Sequence, residues 1–383
     1  MSMVVFPYKA DDPDVAVANL ATAASHPRVS RVVAVGAAST PLLDRVADGA
    51  AEVARRADAA VEVVVQDRIG DRRPGKGDGM LTGMRLFLAS DEERVHFCDA
   101  DITNCDASWI DGAEGALDAG YPVVRHFFPR ASTDAMITWM VTRPLFAIGH
   151  PRSALWRIRQ PLGGELALTR PVAEELMASE FVTRRSDWGI DTALTDAMAA
   201  GGHAVYEHYV AGGKQHALYG SLAELEEMLW ECFEAAVETT RLPSPPPFEH
   251  VTEPEAPAPP AIAHKVGYDV ESTLHLLAAE WTADEEEAAA SLPPSIGEPL
   301  LANRRRPTFA FCDADAWYRA LTSLLSLYRP EPAWRRVLFR LWVARVLAYT
   351  TTDALCGHGE AMRRLETTVQ SYAARSGDRE AGD

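Results

Sequence analysis

Residues 94–101 read RVHFCDAD. A short run suited to a pleated sheet ends in two carboxylates one residue apart. Such a run predicts a strand whose carboxyl tip carries Asp99 and Asp101. Three similar apolar runs precede it: MVVFPYK (3–9), RVVAVGA (31–37) and VEVVVQD (61–67). Between them, PDVAVANLATAASH (13–26), PLLDRVADGAAEVARRAD (41–58) and MLTGMRLFLAS (80–90) carry helical spacing. Strand, helix, strand at this rhythm predicts βαβ units, hence an α/β, Rossmann-like fold with a mainly parallel sheet. Ligands of such sheets bind beyond the carboxyl ends of the strands. Lys9, Gln66 and Asp99–Asp101 all fall there.

Working outward, YPVVRHFFPR (121–130) reads as a strand and AMITWMVTRPLFAIG (135–149) as a helix or helical hairpin. QPLGGELALT (160–169) reads as a turn leading to a strand, DWGIDTALTDAMAAG (187–201) as a helix and HAVYEHYV (203–210) as a strand. A long amphipathic helix, 221–242, follows a Gly-flanked loop. Eight of the 25 prolines then fall between Pro243 and Pro260, the composition of a semi-rigid linker. The predicted organisation is a nucleotide-binding catalytic domain over 1–242, a Pro-rich linker over 243–263 and a helical domain over 264–383. The Trp and Leu density of the last suits a packed bundle, either supporting the catalytic domain or forming a homo-oligomer interface.

With 383 residues, 47% hydrophobic and 24% charged, the chain needs no metal or disulfide staple. Its five cysteines form no CxxC pair and read as reduced thiols of a cytoplasmic protein. The start lacks a basic leader and long apolar stretch, and no window approaches a membrane span. A net charge of −18 argues against nonspecific nucleic-acid binding. Only four of the 37 basic residues are lysine: Lys9, Lys76, Lys214 and Lys265. Where arginine is so preferred, a lysine marks a site that wants a compact ammonium.

The pentapeptide FCDAD recurs at 311–315. There it precedes a helical pattern, with Trp317, Leu321, Leu324 and Tyr328 on one face. Asp313 or Asp315 then caps that helix, and this copy carries no chemistry. The first copy, at a strand tip, is either a capping loop or a metal-gripping D-x-D. Residues 70–77, GDRRPGKG, imitate a phosphate loop, so a P-loop NTPase and a non-catalytic nucleotide-binding module are the rivals. Gly77 stands where a P-loop needs Ser or Thr for magnesium. What remains is a cationic loop of Arg72, Arg73 and Lys76. His216, in the loop GGKQHALYG, is the candidate partner for Asp101. Imidazole, carboxylate and phosphate oxygens together suit Mn²⁺ or Mg²⁺. In RRSDWGID (184–191), Asp187 reads as a helix cap, Asp191 has no structural role unless it faces solvent, and Trp188 forms a sugar wall or core.

These strings resemble the GT-A glycosyltransferases and, more narrowly, the mannosylglycerate synthase family. The resemblance is carried by VVFPYK, RPGKGDGM, DADIT, VVRHFFPRASTDAMITWM, QPLGGEL, RRSDWGIDT and the K-x-H-x-L-Y-G loop at 214–220. It runs to about residue 230 and continues more weakly through VGYDVESTLH. It implies a GT-A nucleotide-sugar domain and transfer of mannose from GDP-mannose to the 2-hydroxyl of D-glycerate. Retention would give 2-O-α-mannosylglycerate, a compatible solute. By the same resemblance Pro7, Lys9, Val35, Gln66, Lys76, Asp99 and Ala100 hold the donor, and Asp101 with His216 holds the metal. Arg130 pairs with the acceptor carboxylate, and Met136, Ile137, Thr138 and Trp139, with Trp188, line the acceptor. Leu162, Asp191 and Tyr219 surround the transferred sugar. Ala217 departs from the family pattern, which has Arg after the histidine, and a diphosphate contact is missing there. Asp191 is the candidate nucleophile if a covalent intermediate forms; front-face attack needs none.

Overall fold

A computed structural model of the chain describes residues 1–9, 12–37, 41–216 and 221–380. The chain packs as two units. One comprises Met1–Pro129, Arg157–Ala217 and Ser244–Pro257; the other comprises Arg130–Trp156, Leu218–Pro243 and Ala258–Asp383.

The first unit is built on an eight-stranded sheet: β1 (Ser2–Tyr8), β2 (Val29–Gly36), β3 (Ala60–Val65), β4 (Arg94–Phe97), β5 (Val123–Phe127), β6 (Leu166–Thr169), β7 (Val205–Tyr209) and β8 (His250–Thr252). The order is β3-β2-β1-β4-β6-β5-β7-β8. All neighbours are parallel except β6, which runs against both β4 and β5. The apolar runs of β1 and β2 are uninterrupted because both faces of the sheet are covered. On one face Met3, Val5, Val33 and Phe97 pack with Met80, Met84, Phe87 and Leu194. On the other, Val4, Phe6 and Val32 pack with Leu20, Val46 and Ile110. Strand order reverses between β1 and β4, the switch point where such sheets open a crevice. The Pro-rich stretch is not linker throughout: its His250–Thr252 pairs with β7, and Glu207 of β7 takes bonds from His250 Nε2 at 2.7 Å and Thr252 Oγ1 at 2.9 Å.

In the second unit, helices Ala314–Leu327, Pro332–Thr350 and His358–Glu380 pack with the segment around residue 140. Thr138–Thr142 winds as a π-turn into helix Arg143–Gly149. The fully buried Trp317 donates its indole N–H to the Met140 carbonyl at 2.6 Å, and buried Arg143 grips Glu366 through two bonds of 2.9 Å. Asp313 caps the Ala314 helix as expected, accepting from the Ala316 amide at 2.8 Å, and Asp315 pairs with Arg375. All five cysteines are free thiols. No helix among the described residues is long and apolar enough to cross a membrane.

Candidate active site

The tips of β1, β2 and β3 meet the first turn of helix Lys76–Leu88. A Cβ added to Gly79 would lie 3.4 Å from Gln66 Oε1 and Pro7 Cβ, and 3.8 Å from the Val35 carbonyl oxygen. Three of the sequence-predicted donor residues therefore converge on one glycine, in a helix whose backbone approaches the sheet closely. Lys9 is exposed just past β1. At the tip of β4, Asn19 reaches up from helix Pro13–Ala24. It donates to the carbonyls of Ala100 and Ile102 at 3.0 and 2.9 Å, fixing the D-x-D loop from below.

Charges alternate across this crevice. Lys76 Nζ sits 2.9 Å from Asp99 Oδ1 and 3.3 Å from Asp191 Oδ2. Lys214 Nζ sits 2.5 Å from Asp99 Oδ2 and 2.6 Å from Glu165 Oε1. Burial works against the charge on Asp99, but Lys214 and Lys76 hold its pKa well below the usual carboxylate range. Burial likewise works against the charge on Lys76, and Asp191 and Asp99 outweigh it, raising its pKa. The Asp191 carboxyl is pushed up by burial, with Lys76 pulling against that shift. Asp191 thus does not face solvent. It is 3% exposed, and among the described residues its Oδ1 has no hydrogen-bond partner.

A buried arginine below the crevice aligns two of its walls. Arg125 of β5 donates to the carbonyls of Gln160 and Gly163 at 2.8 and 3.2 Å and to Thr195 Oγ1 at 2.6 Å. The Thr195 hydroxyl in turn lies 2.8 Å from the carbonyls of both Pro161 and Asp191. The turn bearing Leu162, half-buried, and the helix bearing Asp191 are so held by one guanidinium. Gly164, in the same turn, abuts this charge pair: a Cβ there would lie 2.3 Å from Asp99 Oδ1 and 2.5 Å from Lys76 Nζ.

The loop that imitates a phosphate cradle is otherwise engaged. The amides of Ile69 and Gly70 donate to Asp78 Oδ1 at 3.0 and 2.9 Å, and that of Asp71 to the Arg184 carbonyl at 3.1 Å. The Asp78 amide bonds the Ser186 carbonyl at 2.9 Å. These donors meet protein acceptors, which is not the arrangement of a P-loop. Asp187 corrects the expectation from sequence. It does not cap its own helix, Gly189–Ala200, whose N-terminus has no side-chain cap. Its Oδ1 accepts from the Lys76 amide at 3.1 Å, and its carboxylate pairs with Arg73 at 2.5 Å. It caps the Lys76 helix from across the crevice. Trp188 beside it is half-buried.

Asp101 and His216 come together, Oδ2 to Nδ1 at 3.7 Å, each partly exposed. The histidine loop is stitched to the D-x-D loop: the Thr103 amide donates to the Gln215 carbonyl at 2.8 Å, and Asn104 bonds both the Gln215 amide and the Gly213 carbonyl. Among the described residues no three metal-ligating side chains cluster. If this pair held a cation, its one nitrogen and one oxygen would leave most of the coordination sphere to phosphate oxygens and water, the habit of Mg²⁺ and Mn²⁺. Tyr219 and Ala217 lie outside the described residues.

Of the predicted acceptor residues, Arg130 and Met136–Trp139 belong to the second unit and Trp188 to the first. Arg130 Nη1 pairs with Asp134 Oδ2 at 2.9 Å, and its carbonyl lies 2.8 Å from His358 Nε2. Met136, Ile137, Thr138 and Trp139 are all buried, and Arg143 stacks over the Trp139 ring at 4.5 Å. Lys214, Glu165, Arg125 and Asn19 were not among the predicted site residues. Of these only Lys214 carried a signal, the scarcity of lysine.

A family model described as the mannosylglycerate synthase GT domain matches residues 2–238, and one described as the mannosylglycerate synthase C-terminal domain matches residues 262–369. A mannosylglycerate synthase of Rhodothermus marinus is 46% identical over 374 residues, covering 97% of this chain and 94% of its own. One of Selaginella moellendorffii is 40% identical over 375 residues, covering 96% and 89%. In three dimensions, a glucosyl-3-phosphoglycerate synthase of Mycobacterium tuberculosis, solved with Mn²⁺, UDP-glucose and phosphoglyceric acid, is similar with a TM-score of 0.51 at 21% identity. That match covers 64% of this chain and 81% of that one. It shows a shared GT-A-like fold.

Proposed function

This chain belongs to the mannosylglycerate synthase family and is a glycosyltransferase, and from that premise we propose that it transfers mannose from GDP-mannose to the 2-hydroxyl of D-glycerate with retention. The observation that carries the reading is the pairing of Asp101 with His216 at 3.7 Å beside the Lys76–Asp99–Lys214 charge relay. In this reading Asp101 and His216 hold a divalent Mn²⁺ or Mg²⁺. When bound, that ion draws negative charge from the leaving diphosphate.

The protein's own residues do the rest. Lys76 adds a second positive charge to the leaving side. Asp99, kept ionised by its two lysines, accepts hydroxyls of the nucleotide sugar. Pro7, Lys9, Val35, Gln66 and Ala100 form the remainder of the donor seat. Breaking the sugar–phosphate bond builds positive charge on the anomeric carbon. Asp191, buried and aligned through Thr195, answers that charge, as a transient nucleophile or as a counter-charge during front-face attack. Leu162 and Tyr219 bound the sugar, and Trp188 the acceptor. Arg130 takes the acceptor carboxylate, a planar group suited to a guanidinium fork, with Met136–Trp139 beside it. Ala217 leaves the diphosphate one contact short.

The test is an assay with GDP-mannose, D-glycerate and Mn²⁺, following GDP release and the anomeric proton of the product. Asp101→Ala and His216→Ala should each abolish metal-dependent transfer in folded protein. ATP or GTP hydrolysis without sugar transfer would return the assignment to a nucleotide-hydrolysing protein.

A further inference from the structure

Lys214 is the least explained charge in the crevice. Its side chain is 7% exposed, and its ammonium pairs with Asp99 and Glu165. It stands between Asp99, on the D-x-D loop, and Glu165, which is 0% exposed at the foot of β6. Glu165 is a fixed post: its carbonyl accepts from the His126 amide at 3.2 Å within the sheet. Two residues beyond Lys214 lies His216. The turn before it is set by Gly213, whose φ of +73° favours glycine and whose amide donates to the Val210 carbonyl at 3.0 Å.

We infer that Lys214 is a positioning residue: its ammonium pins the histidine loop and Asp99 to Glu165, so that the metal-side and sugar-side contacts of the D-x-D loop are held as one rigid group. The inference rests on the reading of Asp101 and His216 as a metal pair. Its physical content goes beyond that reading. When the donor's phosphates engage Lys76, Asp99 loses one of its two lysines, and Lys214 alone keeps it oriented. A buried ammonium between two carboxylates suits this role because removing it strands both charges.

Sign separates this role from a merely electrostatic one. Lys214 is near enough to Asp101 to interact with it. By Coulomb's law alone, deleting a cation beside a cation site strengthens metal binding. Loss of positioning weakens it. Mn²⁺ is therefore titrated into the full chain with GDP present, read by the loss of the free-ion EPR signal. Wild type is compared with Lys214→Met, Lys214→Arg and Glu165→Gln. Lys214→Met should weaken Mn²⁺ binding by about tenfold or more, the scale on which orienting partners act. Lys214→Arg should recover part of that loss, and Glu165→Gln should reproduce part of it.

A second measurement needs neither metal nor donor. Hydrogen exchange of residues 210–216 in the ligand-free protein should quicken by about tenfold in Lys214→Met while the β1 and β2 amides keep their protection. If Lys214→Met does not fold, Glu165→Gln carries both measurements. Tighter or unchanged Mn²⁺ binding, or unchanged exchange in the loop, overturns the inference. A wild-type protein that transfers no mannose sinks the functional reading instead, and leaves the exchange comparison to judge Lys214.

Discussion

Two glycine-to-alanine substitutions, one methyl group each, should separate what the crevice needs for folding from what it needs for turnover. At Gly77 an added Cβ meets backbone: the Arg185 carbonyl oxygen at 2.3 Å, the Ser186 carbonyl carbon at 2.6 Å and the Asp187 nitrogen at 2.8 Å. None of these can swing aside, so the loop and helix must part. Overpacking of this kind costs about 1–3 kcal/mol, from which the better helix propensity of Ala returns something under about 1 kcal/mol. At about 2.1 cal/mol/K of unfolding entropy per residue, a net loss of about 1–2 kcal/mol in a chain of this length should lower the melting temperature by about 1–3 °C. At Gly164 the Cβ meets only the ends of two side chains, Asp99 Oδ1 and Lys76 Nζ. Those ends can yield, so stability should change little. Yielding, however, moves the acid and the ammonium proposed to hold the donor. A displacement near 1 Å at such a pair costs about 100-fold in rate. Gly164→Ala should therefore keep its melting temperature and lose about two orders of magnitude in kcat/KM for GDP-mannose. Calorimetry and coupled GDP release measure both on the same samples. A Gly164→Ala enzyme with wild-type turnover would refute the claim that the Lys76–Asp99 contact matters to the reaction.

Asp313→Ala removes a cap from the Ala314 helix and should cost about 1 kcal/mol by denaturant melting, with turnover intact; lost activity in folded protein would contradict the reading of the second FCDAD. Arg130→Ala should raise KM for D-glycerate far more than KM for GDP-mannose in steady-state assays, and equal effects would discredit its assignment to the acceptor. Burial pushes the Asp196 carboxyl up to about 7, whereas in an unfolded chain it releases its proton near pH 4. Between those values the folded state binds more protons, so this group's contribution makes stability fall as pH rises from about 4 to 7 and level off above. The loss is on the order of 4 kcal/mol, and Asp196→Asn should abolish it; chemical denaturation at pH 5 and pH 8 checks this, and an unchanged slope in the variant would show that Asp196 is not its source.

The strand tips were legible because each apolar run, buried on both faces in β1 and β4 and half-buried in the edge strand β3, stops where the sheet stops. A polar residue closing such a run, as Gln66 or Asp99 does, can only lie at the crevice. Direction and partner were not legible. LALT has the same composition whichever way it runs, so nothing local reveals that β6 is antiparallel to β4 and β5. Asp187 has the local signature of a cap, and it is a cap, but for an amide 111 residues earlier. Arg143 reads as part of a helix, while the glutamate that neutralises it lies 223 residues on, in the C-terminal helices. Sequence period reports which face a residue occupies; it carries no information about what stands opposite. The scarcity of lysine is a different kind of signal, since it speaks of chemistry that arginine could not replace. It picks out Lys76 and Lys214, both buried in the charge relay, and Lys9, exposed at the tip of β1. It also picks out Lys265, which is exposed and whose backbone carbonyl accepts from Thr133 at 3.3 Å. A compact ammonium is required where carboxylates crowd from two sides within 3 Å, as around Lys214, and rarity finds such a place only when burial agrees.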